Sequence, residues 1–107
     1  MFQNDKSLKA VHRSNENDLH RSAYNALGHI LQRAEKKTRR ELCSIFRGAF
    51  GARQRAAILD PNILAKTRTA WRQWGEKLRE HVQQNSDRLR YDHLRVFVQQ
   101  HGHPQVE

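Results

Sequence analysis

Arg33-Ala34-Glu35-Lys36-Lys37-Thr38-Arg39-Arg40-Glu41-Leu42-Cys43-Ser44-Ile45-Phe46-Arg47 carries two patterns at once, both at the period of an α-helix. Leu42 and Ile45/Phe46 form an apolar stripe, while Arg33, Lys37, Arg40 and Arg47 fall at i, i+4, i+7 and i+14, on one face. The apolar stripe extends in phase to both sides. Upstream it includes Leu19, Ala23, Ala26/Leu27, Ile30/Leu31 and Ala34; downstream it includes Ala49, Ala52, Ala56 and Leu59. Phase kept across the charged stretch predicts one long helix over 16–59 or two nearly collinear ones. Gly48 and Gly51 place a bend at 48–51, since a glycine costs a helix about 1 kcal/mol relative to alanine.

The other elements follow from their boundaries. Ser14 and Asn15 are candidate N-caps, so 1–15 reads as a flexible arm. Asp60-Pro61 starts a second helix over 61–83, with proline at the first helical position and aspartate before it. Leu64, Thr67, Trp71, Trp74, Leu78 and Val82 share a face of that helix. Ser86 caps a shorter third helix over 87–100, although Leu94, Val96 and Val98 alternate as in a strand. Residues 101–107 read as a frayed tail.

The expected architecture is therefore all-α, a single helical domain over 16–100. The first helix is too long to bury its stripe against two shorter ones. A homodimer solves this, through Leu27, Leu31, Leu42 and Ile45 or through Trp71, Trp74 and Leu78. Composition agrees: hydrophobic residues make up 36% of the 107, or about 41% with the five glycines, and globular domains reach roughly 45–50% by that count. A core that thin invites a partner.

The charge points to the kind of partner. Twenty Lys+Arg oppose eleven Asp+Glu, giving +9, and fourteen of the cations are arginines. Residues 33–55 hold eight cations (Arg33, Lys36, Lys37, Arg39, Arg40, Arg47, Arg53 and Arg55) against two acids, Glu35 and Glu41. Two-thirds of the net charge thus lies in this stretch. Glu35 can reach Arg39 and Glu41 can reach Lys37, which leaves most of the cations unmatched. Arginine's planar fork suits phosphate oxygens, and excess positive charge attracts polyanions at long range. These eight residues are the candidate nucleic-acid contacts.

Other chemistries find little support. No alanine stands four residues before Gly28, Gly48, Gly51 or Gly75, as a helix-turn-helix wants. Gly48-Ala49-Phe50-Gly51 matches the GxxG loop of KH domains but lacks flanking strands. Trp71 and Trp74 read as core rather than as stacking platforms for bases. The seven histidines are scattered, and His101-Gly102-His103 is a two-ligand fragment, so no metal or other cofactor is expected. Cys43, the lone cysteine, reads as a partly buried structural thiol. Glu76 and Glu80 share a face with Lys77 and Arg79 beside them, as ordinary surface charges do. No catalytic constellation emerges.

The longest apolar run is Ala56-Ala57-Ile58-Leu59, against roughly 18 residues for a membrane span. With one cysteine and no apolar leader segment at the start, the expected location is cytoplasmic or nuclear, or the host cytosol for a viral chain. Small size, abundant Arg, Gln and His, and long basic helices resemble in style the small viral or plasmid-encoded RNA-binding regulators, including helical suppressors of RNA silencing. The function expected is a non-enzymatic nucleic-acid binder that contacts phosphates through a helical Arg/Lys face, with double-stranded RNA favoured slightly over DNA. The alternative is an interaction module or inhibitor that docks its basic face on an acidic protein partner.

Overall fold

The structure, a computed structural model, describes residues 4–49, 57–85 and 88–104. Five helices lie among the described residues: α1 (Asn4–Leu27), α2 (His29–Gln32), α3 (Lys36–Ala49), α4 (Pro61–Asn85) and α5 (Tyr91–His101). The fold is all-α, as expected.

In place of the long helix or collinear pair expected over 16–59, the described residues form three helices up to Ala49. Gly28 adopts φ 60, ψ −140, a conformation that residues with a Cβ rarely enter, and it ends α1 at Leu27. After one turn of α2 the chain leaves helical geometry again, and α3 starts at Lys36. Arg39 fixes this break. Its guanidinium donates to the Gln32 carbonyl (3.1 Å) and to the Leu31 carbonyl (2.9 Å), which also accepts from the Ala34 amide, at the end of α2. The bend placed at 48–51 falls partly outside the described residues; Gly48 itself is helical.

Each side of the break corrects an expectation. α1 begins at Asn4, so described residues 4–15 are helical rather than an irregular arm. Ser14 and Asn15 lie within α1 and cap nothing; Asn15 instead donates through Nδ2 to the Ile58 carbonyl at 3.0 Å. At the other end, the third helix starts at Tyr91 rather than 87, and its proposed cap, Ser86, lies outside the described residues. Residues 94–98 are helix, not strand. The tail is packed as far as Pro104, which is buried, and the Gly102 carbonyl accepts a 2.8 Å hydrogen bond from Trp74 Nε1.

α4 matches its expected start. Asp60 Oδ1 accepts from the Asn62 amide (2.9 Å) and the Asp60 carbonyl from the Leu64 amide (2.8 Å), which satisfies two donors of the first turn.

The contacts give the topology. Asp18 pairs with Arg68, and Ala23 and Ala26 meet Gly75, so α1 and α4 run parallel. Tyr24 meets Cys43 and His20 meets Phe46, so α3 runs antiparallel to α1. Trp74 and His81 both meet Phe97, and Trp74 reaches Gly102, so α5 runs antiparallel to α4. α3 and α5 are therefore parallel to each other and begin at the same end of a four-helix bundle.

The core centres on aromatic rings. Phe46 of α3 stacks on Trp71 of α4, centroids 4.7 Å apart, and His20 of α1 stacks on Trp71 at 5.6 Å. Trp74 meets Phe97 edge-on at 5.4 Å. Large buried rings of this kind dominate core energetics. Leu27, Leu42, Ile45, Trp71, Trp74 and Leu78 are all buried within one chain, and Leu31 packs against them. The two faces expected to form a dimer are thus internal, because the break at 28–35 lets the stripe fold back on itself.

Candidate nucleic-acid interface

α3 divides its residues cleanly between inside and outside. Thr38, Leu42, Ile45 and Phe46 are buried. At about 100° per residue, Lys36, Arg40 and Arg47 lie within about 40° of one another on the opposite side. All three are exposed. Lys36 and Arg47 stand about 16 Å apart along the axis at 1.5 Å rise per residue.

The eight expected contact residues separate into distinct roles. Lys36, Arg40 and Arg47 form the outer row, with no ion pair or hydrogen bond from their side chains to other described residues. Lys37 sits at its edge, with Nζ 4.3 Å from the centroid of the Tyr91 ring. Arg39 is exposed, but its guanidinium caps α2, a structural task. Arg33 is exposed in the turn before α3, so the helical alignment of Arg33 with Lys37, Arg40 and Arg47 does not hold. Arg53 and Arg55 lie outside the described residues.

The local pairs expected within this stretch are replaced by pairs across the bundle. Glu35 meets Arg88 at 3.3 Å rather than Arg39, and Arg88 Nε also donates to the Arg33 carbonyl at 3.1 Å. Glu41 meets Arg95 at 3.1 Å rather than Lys37. The two acids of this stretch are therefore occupied by arginines from beyond it. This raises the local excess of positive charge instead of cancelling it.

Sequence reading missed the α5 side of this surface. Arg88, Arg90 and Tyr91 are about fifty residues from Lys37 in the chain, yet they share with it a groove of about 390 Å³ that Glu35 and Asp92 also line. No local periodicity signals that proximity. It arises because α3 and α5 start side by side.

The remaining candidates are structural. Trp71 and Trp74 belong to the core and offer no face to an unpaired base. Cys43 is half-buried, with Sγ 3.0 Å from the Tyr24 hydroxyl. Burial, then the Cys43 contact, holds the Tyr24 hydroxyl well above its usual range. Burial also lowers the pKa of His20, an effect that nearby Arg47 reinforces and Glu16 opposes. Among the described residues no three His, Cys, Asp or Glu side chains gather as a metal site would require, and no helix is long and apolar enough to cross a membrane. Gly48 and Ala49, the first half of the GxxG match, are helical.

No family model matches the chain, and comparison with curated proteins and with solved structures finds no match.

Proposed function

We propose that this chain is a non-enzymatic nucleic-acid-binding protein that contacts the phosphate backbone through the outer face of α3, in the cytosol or nucleus. One observation carries the reading: Lys36, Arg40 and Arg47 form an exposed row, and the two acids of the same stretch, Glu35 and Glu41, are paired with Arg88 and Arg95. A row of like charges on a rigid helix repels itself, so it works against stability and calls for an anion.

Duplex is favoured over single strand, because both tryptophans lie in the core and base stacking has few exposed rings to use. Double-stranded RNA is favoured over DNA, because a short cationic row reads shape and backbone rather than base edges. The row is complete within one chain, so contact does not require a second copy.

The test is a titration against duplex RNA, duplex DNA and single strands at several salt concentrations. With about four phosphate contacts, log K should fall against log salt with a slope near −3.6, or about two decades from 50 to 200 mM. Duplex RNA should bind tightest. A salt-insensitive interaction, or none with any nucleic acid alongside capture of an acidic protein, would contradict the reading.

A further inference from the structure

The row on α3 is one rim of a seam. Tyr24 of α1 meets Cys43 of α3 at 3.0 Å, and both are half-buried, so this pair marks the floor between the two antiparallel helices. On α3, Lys36, Arg40 and Arg47 stand at i−7, i−3 and i+4 from Cys43, within about 60° of it around the helix. On α1, Arg13, Asn17 and Arg21 stand at i−11, i−7 and i−3 from Tyr24, also within about 60° of it. All three are exposed and form the opposite rim. Arg47 lies close enough to His20 and Tyr24 for its charge to act on both. With His20 opposite Phe46 and Tyr24 opposite Cys43, Arg21 sits level with the Arg47 end of the row. Arg13 lies about 10 Å beyond that end, so the row of about 16 Å becomes a track of about 26 Å crossing from one helix to the other.

The α1 rim also holds a hollow. Arg13, Ser14, Asn17 and Arg21 line a space of about 500 Å³. The acid that lines it, Asp18, is held by Arg68 of α4. Glu16, the other acid of α1 whose side chain is described, lies 4.0 Å from His12. Arg13 and Arg21 make no ion pair or hydrogen bond through their side chains to other described residues. The hollow thus offers two uncompensated guanidinium groups with a hydroxyl and an amide between them, a donor set suited to phosphate and sugar oxygens.

We infer that the seam between α1 and α3 seats the phosphate backbone of one strand of a duplex, with Arg13 and Arg21 binding phosphates from the α1 side. The inference rests on the proposed nucleic-acid reading and deepens it, from a row on one helix to a two-walled track. Packed helices lie about 8–10 Å apart. Side chains on both rims can reach one backbone at that spacing, while the seam is too narrow for a whole duplex to enter. A strand with a charge on every nucleotide matches an extended line of cations, and the remaining strand faces solvent.

The test measures duplex-RNA affinity as a function of salt. With about six contacts the slope of log K against log salt should be near −5.4, where α3 with about four contacts gives −3.6. Arg13→Gln/Arg21→Gln should weaken binding by about tenfold near 100 mM salt and return the slope to near −3.6. Lys66→Gln/Lys77→Gln on α4, which removes the same charge, should leave the slope unchanged. In the unmodified chain, the amides of Asn17 and Arg21 should shift saturably by NMR as duplex RNA is added, together with those of Arg40 and Arg47. That readout does not depend on how either variant folds. A slope near −3.6 that the α1 pair does not alter, or shifts confined to α3, overturns the inference and leaves the α3 reading standing. Equal changes of slope from the α1 and α4 pairs overturn it as well. If the unmodified chain binds no nucleic acid, both fail.

Discussion

α3 and α4 are both amphipathic and pack on the same aromatic core through Phe46 and Trp71, yet their polar faces differ. On α4, Arg68 pairs with Asp18 of α1 and Arg72 lies 3.9 Å from Glu76 one turn on. α4 holds five cations and two acids, and those acids, Glu76 and Glu80, lie within one turn of Arg72, Lys77 and Arg79. α3 holds five cations and one acid, and that acid is taken by Arg95 of α5. Exposed pairs such as Arg72 and Glu76 contribute at most about 1 kcal/mol each, so α4's arrangement is near-neutral for stability. The unmatched row on α3 is mildly costly. The placing of the acids is the ground on which α3 rather than α4 is proposed as the contact face.

The same contrast appears in the two helices' glycines, and there it gives the largest expected effect. A Cβ on Gly75 of α4 would lie 3.0 Å from the Ala23 carbonyl oxygen and 3.1 Å from the Ala26 Cβ, so the close approach of α1 and α4 depends on this glycine. Gly75→Val should cost about 3 kcal/mol and lower the thermal midpoint by about 10 °C or more. A midpoint near that of the unmodified chain would mean that α1 and α4 do not pack this closely. On α3, nothing lies within 4 Å of the corresponding atom on Gly48. Gly48→Ala should stabilise the chain by up to about 1 kcal/mol through helix propensity alone. A lower midpoint in calorimetry would show that Gly48 needs its freedom.

A smaller effect probes the seam between α1, α3 and α4. His20 stacks on Trp71 and Phe46, with Glu16, Tyr24 and Arg47 as its titratable neighbours. Its folded-state pKa lies below 6.5, chiefly through burial. The unfolded chain therefore takes up the proton first on acidification. The stabilisation is present in full above about pH 6.5 and is lost as pH falls through the folded pKa. The thermal midpoint should drop between pH 7 and pH 5, and less so in His20→Phe. Equal drops in both chains would place the acid sensitivity elsewhere.

The helical class and the start of α4 were legible because they rest on local signals: the 3.6-residue period and the Asp60-Pro61 step. The break at Gly28 was legible in principle, since a glycine after the last periodic residue is a common helix terminator. In-phase apolar residues on either side concealed it. The start of α1 was not legible. Residues 4–15 are mostly polar, and half-exposed Leu8 and Val11 give little periodic signal. For the site, the concentration of charge at 33–47 was visible, but the role of each cation was not. Arg39 turns back along the chain to cap α2, and the acids reach Arg88 and Arg95 across 53 and 54 residues of chain. Such pairings depend on helix order in the bundle, which local pattern does not encode.

On the proposed reading α3 in particular, not positive charge in general, makes the contact. The direct measurement compares duplex-RNA affinity, at one fixed salt concentration near 100 mM, for the unmodified chain, Lys36→Glu/Arg40→Glu on α3 and Lys66→Glu/Lys77→Glu on α4. Both variants change the net charge by the same amount. An acid at position 36 favours the start of α3, so unfolding does not account for a loss there. The α3 pair should lose about a hundredfold and the α4 pair about threefold or less. Equal losses from the two pairs would contradict it.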